Sequence, residues 1–141
     1  MDPTPINTDI LPGGQDNNIR KSLIVLIAED DQPSELFITR LVSTFSKKII
    51  TVRTGNEAVE ACRTNPDIDL VLMDIKMPQM DGYEATRLIR KFNKDLIIIA
   101  QTAFGLTGEK EKAEKAGCND YISKPIDRNQ FLGLLQKYFG K

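Results

Sequence analysis

A single stretch, residues 70–84, LVLMDIKMPQMDGYE, decides the fold expected of this chain. Its first four residues, Leu70 to Met73, are all apolar and predict a strand buried on both faces. The strand runs into a lone carboxylate, Asp74, and then into the turn-forming pairs Met77-Pro78 and Asp81-Gly82, which end it sharply and lead into a helix. The stretch therefore predicts a buried strand that carries an uncovered carboxylate to the edge of a sheet.

The same alternation of short apolar runs and helical segments continues along the chain from Ser22 onward. Further apolar runs occur at 23–28, 49–52, 96–100 and 121–123. Five strands that alternate with five helices at this length form a (βα)5 unit with right-handed crossovers and helices on both faces. The prediction is an α/β, flavodoxin-like (βα)5 three-layer sandwich whose parallel five-stranded sheet has the order 2-1-3-4-5.

Helix signals lie between the apolar runs. Asp31 is expected to cap the first helix, and the spacing of Phe37, Leu41 and Phe45 predicts the buried face of that helix. Capping signals precede three further helices, at Thr54 with Glu57, at Asp81 with Glu84 and at Asp127 with Gln130. The segment 107–116 has almost no apolar stripe, so the fourth helix should be the least firmly docked.

The composition changes near residue 21. Residues 1–21 are rich in Pro, Gly, Asn and Asp and show no helical or strand period, which predicts a linker or flexible tail. Residues 22–141 are expected to form the folded domain. Two cysteines far apart in the sequence, Cys62 and Cys118, are typical of a reduced, cytoplasmic chain.

Composition also excludes several classes of function. The 19 Lys and Arg residues nearly balance 20 Asp and Glu, so no basic field indicates a nucleic-acid partner. No segment approaches the roughly 18 to 20 continuous apolar residues of a membrane span, so we expect no direct membrane contact. The chain has no histidine, which excludes His-based zinc sites and hydrolytic Ser-His-Asp or Cys-His arrangements. Chemistry here must use carboxylates, hydroxyls and lysine.

Polar residues with that chemistry follow the apolar runs. Glu29, Asp30 and Asp31 come after the first run and Asp74 after the third; Gln101 and Thr102 follow the fourth, and Lys124-Pro125 the fifth. In the predicted fold the carboxyl ends of these four strands are neighbours. The sequence therefore predicts that acid, hydroxyl and lysine groups converge on Asp74.

The predicted cluster of carboxylates indicates a cation. Glu29, Asp30 and Asp74 would repel one another unless a positive ion were shared among them. Mg²⁺ fits, because it takes oxygen ligands, keeps several waters and is commonly completed by a phosphate oxygen. A carboxylate beside Mg²⁺ and a lysine can attack phosphorus and become an aspartyl phosphate.

Four segments carry a resemblance to a known family. The segments AEDD, DIKMPQMDG, QTA and YISKP follow in order across residues 23 to 139. Together they resemble the two-component response-regulator receiver domain. The resemblance implies a phosphoryl-accepting switch that catalyses its own phosphorylation and dephosphorylation, takes the phosphoryl group from a histidine kinase or histidine phosphotransfer domain, and then changes the face that binds a downstream protein.

The resemblance also implies roles for individual residues. Asp74 would be the phospho-acceptor, and Glu29, Asp30, Asp74 and the Lys76 carbonyl would hold Mg²⁺. Thr102 and Lys124 would contact the phosphoryl group, and Tyr121 would turn inward on activation. Lys76 and Phe104 would influence the lifetime of the phosphoryl group, and a bulky Phe104 predicts a long-lived state. The family pattern further implies a cis Lys124-Pro125 bond.

Structural interpretations remain open for these residues. Asp74 is also compatible with a strand-end cap, Thr102 with a turn residue and Lys124 with an ordinary surface lysine. Tyr121 is also compatible with simple packing in a terminal strand, and Phe104 with packing on its loop.

Alternative functions and contexts are also open. Residues 1–21 resemble an interdomain linker, and the segment AGCNDYISKPI resembles receivers fused behind sensor histidine kinases. Both favour the C-terminal receiver of a hybrid sensor histidine kinase, at its cytosolic end, over a stand-alone regulator. A phosphorylation-independent binding module is a further alternative. An aspartate-nucleophile phosphatase would carry a second Asp where Lys76 stands, and a flavodoxin would need a hydroxyl-rich loop where EDDQPS stands.

Overall fold

A computed structural model describes residues 19–103 and 107–140 of the chain. In these ranges five strands alternate with five helices, as the sequence predicts. The elements are β1 (Leu23–Ala28), α1 (Gln32–Ser43), β2 (Ser46–Val52), α2 (Gly55–Thr64), β3 (Leu70–Asp74), α3 (Gly82–Arg90), β4 (Ile97–Ala103), α4 (Glu109–Ala116), β5 (Asp120–Lys124) and α5 (Arg128–Phe139). The strands form one parallel sheet of order β2-β1-β3-β4-β5, which confirms the predicted topology.

Helices cover both faces of the sheet. Alternate residues of the strands point to opposite faces, and each face contributes one apolar cluster. Leu72 and Ile99 belong to the cluster that packs against α1 and α5. Met73 and Ile98 belong to the cluster that packs against α2, α3 and α4. Since β3 is the central strand, all five of its residues, Asp74 included, are buried.

Helix caps place the turns at the carboxyl edge of the sheet. Asp31 accepts a hydrogen bond from Ser34 N at 3.0 Å, and Thr54 forms the predicted capping box with Glu57. Asp81 and Asp127 accept from the backbone amides of the third residues that follow them. These predicted N-caps are confirmed.

The first helix differs from the prediction in the face that it buries. Ile38 and Val42 point into the core, whereas Phe37 is 46% exposed. Phe45 is buried but lies beyond the last residue of α1. The predicted stripe was therefore displaced by one position along the helix, and Phe37 is left on the surface beside the carboxyl edge of the sheet.

Most of the predicted linker, residues 1–18, lies outside the described residues. The backbone of Ile19 forms an antiparallel bridge with Gly140, and the Ile19 side chain is fully buried in the core cluster of α1 and α5. Arg20 N donates to Phe139 O at 3.0 Å, and its side chain pairs with Asp69 at 3.0 Å. None of the helices in the described ranges has the length and apolar character that crossing a bilayer requires.

Candidate functional site

The ends of four strands meet around a cleft of about 810 Å³. Glu29 and Asp30 directly follow β1, Asp74 ends β3, Thr102 lies in β4 and Lys124 ends β5. All five residues line the cleft, together with Lys76 from the turn after β3. The structure thus brings together the acids, the hydroxyl residue and the lysine that the sequence predicts to converge.

Three carboxylates form an acidic cluster at the floor of this cleft. One oxygen each from Glu29, Asp30 and Asp74 lies within 4.8 Å of the others. Glu29 and Asp74 are buried and Asp30 is exposed, so one side of the cluster is open to solvent. Oxygen ligands on one side and room for water on the other fit the coordination that Mg²⁺ prefers.

Lys124 is the positive charge within the cluster. Its Nζ donates to Glu29 Oε1 at 2.8 Å and lies 3.3 Å from Asp74 Oδ2. Burial lowers the pKa of Lys124, but the hydrogen bond to Glu29 and the charges of both carboxylates outweigh burial, and the net pKa is raised. The ammonium therefore stays charged and offsets part of the repulsion between the acids.

Asp74 is held in an environment that disfavours its charge. Burial is the largest cause and the negative charge of Glu29 the next, and together they raise the pKa of Asp74 to about 7 despite the opposing effect of Lys124. Its Oδ1 accepts a weak hydrogen bond from Lys76 N at 3.4 Å. Without a cation in the cluster, a large fraction of Asp74 is protonated at neutral pH.

The remaining predicted residues lie around this centre or outside the described ranges. Thr102 is buried, at 3% exposed, and Lys76 is exposed at the rim. Tyr121 is half-buried and packs against the cluster under α2, α3 and α4. The Lys124-Pro125 peptide bond is cis, which confirms that prediction. Phe104 lies outside the described residues.

One wall of the cleft contains residues that sequence reasoning missed. Tyr83, from α3, donates a hydrogen bond to the carboxylate of Glu109 at the start of α4. Glu109 is only 8% exposed, and Lys112 pairs with it at 3.4 Å. Burial and the hydrogen bond to Glu109 raise the pKa of Tyr83. No sequence signal joins these residues, because Tyr83 and Glu109 are 26 positions apart.

The chain was also compared with models of known protein families. The family model for the response regulator receiver domain matches residues 25–136. The chain belongs to this family. It is a receiver domain of two-component signalling, as the resemblance in the sequence implied.

Two curated relatives represent two contexts for such a receiver domain. The signal transduction histidine-protein kinase BarA of Escherichia coli (strain K12) is 37% identical over 121 residues, which cover 84% of this chain and 13% of that protein. The polar-differentiation response regulator DivK of Brucella ovis is 33% identical over 118 residues, which cover 82% of this chain and 95% of that protein. The chain therefore spans a small part of one relative and nearly all of the other.

A solved structure resembles this receiver domain in fold. The receiver domain of sensor histidine kinase PA1611 from Pseudomonas aeruginosa PAO1 is 32% identical, with a TM-score of 0.73, over 83% of this chain and 97% of that chain. That structure has a magnesium ion coordinated in the active-site cleft. The acidic cluster of Glu29, Asp30 and Asp74 lies in the cleft of the present chain.

Proposed function

We propose that this receiver domain accepts a phosphoryl group on Asp74 from a phosphohistidine of a histidine kinase or a histidine phosphotransfer domain. Glu29, Asp30, Asp74 and the Lys76 carbonyl would hold Mg²⁺ for this reaction. The single observation that carries the proposal is the convergence of three carboxylate oxygens within 4.8 Å, with Lys124 Nζ 3.3 Å from Asp74.

The residues of the chain have distinct tasks in the transfer. A carboxylate oxygen of Asp74 attacks phosphorus, and the bond from phosphorus to the donor imidazole nitrogen breaks as the new oxygen–phosphorus bond forms. When bound, Mg²⁺ supplies charge neutralisation at the transferring oxygens. Lys124 presents its ammonium to the same oxygens, and Thr102 supplies a hydroxyl donor from the neighbouring strand. Because the transfer requires little covalent chemistry from the protein, positioning supplies most of the catalysis.

Asp74 must be ionised to attack. Its pKa of about 7 in the metal-free cleft leaves part of the population protonated and unreactive at neutral pH. A cation shared with Glu29 and Asp30 favours the ionised form, since an opposite charge within a few ångströms lowers a carboxyl pKa. Phosphorylation of Asp74 is therefore expected to depend on Mg²⁺ for two reasons: the cation favours the ionised carboxylate, and it coordinates the reacting groups.

The output is a changed protein-binding surface. Phosphorylation adds roughly −1.5 to −2 charge at the strand ends, which draws Thr102 and Lys124 toward the phosphoryl group. Lys124 ends β5, the strand that carries Tyr121, and α4 contributes only Ala113, Ala116 and Glu109 to the buried set of residues. The α4-β5-α5 face is thus the surface that we expect to move and to bind a downstream protein.

An apolar surface beside the cleft is available to the donor. Leu36 and Phe37 of α1 are 52% and 46% exposed. Phe37 also lines a groove of about 300 Å³ whose other wall contains Pro125 and Ile126, next to Lys124. A donor protein that packs on this surface would carry its phosphohistidine to the open side of the acidic cluster.

The context of the domain is proposed as the cytosolic receiver of a hybrid histidine kinase, with a stand-alone regulator as the alternative. The similarity to BarA supports the former and that to DivK the latter. The cytoplasmic location belongs to the same proposal.

Intact mass after incubation with Mg²⁺ and acetyl phosphate tests the function, with Asp74→Asn measured in parallel. A single acid-stable, base-labile phosphate adduct on the wild type alone is the expected result. An adduct of equal yield on Asp74→Asn would overturn the assigned site. If neither protein is modified by acetyl phosphate or by a phosphorylated histidine phosphotransfer domain, while calorimetry shows bound Mg²⁺, the chain is a phosphorylation-independent binding module.

A further inference from the structure

Gln101 carries two buried polar atoms that lack partners. The residue is fully buried, and neither Nε2 nor Oε1 of its carboxamide has a hydrogen-bond partner in the described part of the chain. Its backbone carbonyl, in contrast, accepts from Ile75 N at 3.1 Å. Burying an unpartnered carboxamide destabilises a fold, and such groups are rare in proteins. The Gln101 carboxamide therefore has an oxygen and a nitrogen free to bond a group that enters the adjoining cavities.

The sheet register places Gln101 between the phosphoryl acceptor and Lys124. Gln101 on β4 is the cross-strand partner of Asp74 on β3 and of Ile122 on β5. Ile99 and Ile122 both belong to the core cluster that packs against α1 and α5. Because side chains alternate along a strand, Gln101 lies on the same face as Ile99, and Lys124 lies on the same face as Ile122. Lys124 Nζ reaches Asp74 from β5, across the β4 strand that carries Gln101.

The two cavities at this edge of the sheet share the same two residues. Gln101 and Lys124 line the cleft that contains the acidic cluster, and both also line the groove beside α1. No other residue in the described ranges belongs to both linings. The unpartnered carboxamide and Lys124 thus both belong to the wall that separates the cleft from the groove.

The ammonium of Lys124 has three donors and no acceptor. In the structure it uses Glu29 and Asp74 as partners. On the proposed function, a cation engages both carboxylates and the ammonium turns to the phosphoryl group, so it loses the acceptor to which it is now closest. The phosphoryl oxygens replace one acceptor, and Gln101 Oε1 is an unused oxygen at this wall for another of the three donors.

We infer that Gln101 is a positioning residue for Lys124, whose ammonium donates to the Gln101 carboxamide oxygen when Asp74 is phosphorylated. This inference rests on the proposed function. The carboxamide oxygen holds the ammonium against the phosphoryl group and gains a donor at the same time. Oε1 of Gln101 is therefore unpartnered in the unphosphorylated state and partnered in the phosphorylated state.

Gln101→Met tests the inference, because methionine has a similar length and lacks the carboxamide. We expect Gln101→Met to be phosphorylated by acetyl phosphate about tenfold more slowly, the change that corresponds to one hydrogen bond to a charged group. Ile99→Val, two residues earlier on the same face, is the control for altered packing and should react at the wild-type rate. Gln101→Leu repeats the test if Gln101→Met does not fold.

Two measurements separate positioning from a structural role. In a Lys124→Met background, Gln101→Met should cause no further loss of rate, since the carboxamide then has no ammonium to hold. In the phosphorylated wild type, a ¹⁵N-lysine spectrum should show a Lys124 ammonium signal that Gln101→Met removes. The metal-free melting temperature of Gln101→Met should equal or exceed that of wild type, because two unpartnered polar atoms are gone.

The outcomes distinguish this inference from the function on which it rests. A wild type that takes no phosphate refutes the proposed function, and the inference fails with it. A wild type that is phosphorylated while Gln101→Met reacts equally fast overturns the inference alone. A tenfold loss that persists in the Lys124→Met background, or a lower melting temperature with an unchanged ammonium signal, assigns Gln101 to structure and also overturns it.

Discussion

Lys124 Nζ donates to Glu29 Oε1 at 2.8 Å, although the two residues are 95 positions apart in the sequence. Glu29 is fully buried, and its other oxygen accepts from Asp31 N at 3.1 Å. The Lys124 ammonium therefore neutralises part of the negative charge of Glu29 and Asp74, the same charge that would attract a cation to the acidic cluster. We therefore expect the Lys124 ammonium and Mg²⁺ to compete for the same carboxylates.

Lys124→Met should tighten Mg²⁺ binding to the unphosphorylated receiver domain. Removing the ammonium leaves the acidic cluster more negative, and an affinity gain of about tenfold is expected from the lost repulsion at this range. Isothermal titration calorimetry measures it. Lys137→Met is the matched control, because Lys137 pairs with Asp120 at 3.1 Å outside the cleft. Equal affinities for wild type and Lys124→Met would contradict the competition.

The raised pKa of Asp74 predicts a pH-dependent stability difference between wild type and Asp74→Asn in the presence of EDTA. The folded-state pKa is about 7, above the ordinary value of 3.8, so between these values the folded state keeps a proton that the unfolded state has lost. The free energy of unfolding of wild type therefore falls, relative to that of Asp74→Asn, as pH rises through this window. By about pH 8, Asp74→Asn should be more stable by about 1 to 3 kcal/mol.

Urea denaturation from about pH 4 to about pH 8 follows this difference. It should be smallest at the acid end, where Asp74 is protonated in the folded state and about half protonated in the unfolded state. Saturating Mg²⁺ should reduce it at the alkaline end. A difference that stays constant across the range would show that Asp74 is not the source.

Tyr83→Phe should loosen the start of α4. Tyr83 donates to the Glu109 carboxylate, and Gly108, the N-cap residue of α4, provides no side-chain cap. Losing a hydrogen bond to a charged group should lower the local free energy of opening by about 1.5 to 3 kcal/mol. Hydrogen exchange of the α4 amides measures this change. Tyr138→Phe removes a hydroxyl that donates to Asn119 O and should leave these amides unchanged. Unaltered exchange in Tyr83→Phe would rule out this anchor.

The strands could be predicted because burial on both faces demands continuous apolar runs, as in β3. The proximity of Asp74 and Lys124 could be predicted because the carboxyl ends of neighbouring strands in a parallel sheet lie at the same edge. The start of the edge strand β2 was harder to predict. It begins at Ser46 and includes exposed Lys47 and Lys48, which no apolar run marks.

What escaped prediction depends on tertiary contacts. Phe37, Leu41 and Phe45 keep a four-residue spacing, but the chain turns before Phe45 and buries Ile38 instead of Phe37. The pairing of Tyr83 with Glu109 and the unpartnered amide of Gln101 arise only when strands and helices are placed side by side. Periodicity carries no information about such pairs.

Phe104→Glu should shorten the lifetime of phospho-Asp74. Phe104 stands two residues after Thr102 in the sequence. The family resemblance implies that this position influences the lifetime, and we expect a bulky side chain there to limit access of the attacking water. Decay of the phosphate adduct by intact mass, in excess Mg²⁺ after removal of acetyl phosphate, measures the lifetime. Phe92→Glu adds the same charge at an exposed site on the surface and should decay like wild type. Equal lifetimes for Phe104→Glu and wild type would contradict the prediction.

Gly82→Ala should disturb the turn that keeps Asp74 uncovered. A Cβ at Gly82 would collide with the Asp74 carbonyl oxygen and lie 2.9 Å from Ile75 Cα, and both of these are backbone atoms that cannot rotate away. Gly82 N also donates to Ile75 O at 2.9 Å, so the turn cannot widen without breaking this bond. Urea denaturation should show a loss of about 1 to 3 kcal/mol, and calorimetry should show weaker Mg²⁺ binding because Asp74 is displaced.

Gly133→Ala is the matched control for that substitution. Gly133 lies within α5 with nothing within 4 Å of a built Cβ, so alanine there should raise stability by about 0.5 to 1 kcal/mol through helix propensity. Its Mg²⁺ affinity should equal that of wild type. The two glycines thus predict opposite signs for the same chemical change. A Gly82→Ala variant as stable as wild type, with unchanged Mg²⁺ affinity, would show that the close approach of α3 to the end of β3 does not position Asp74.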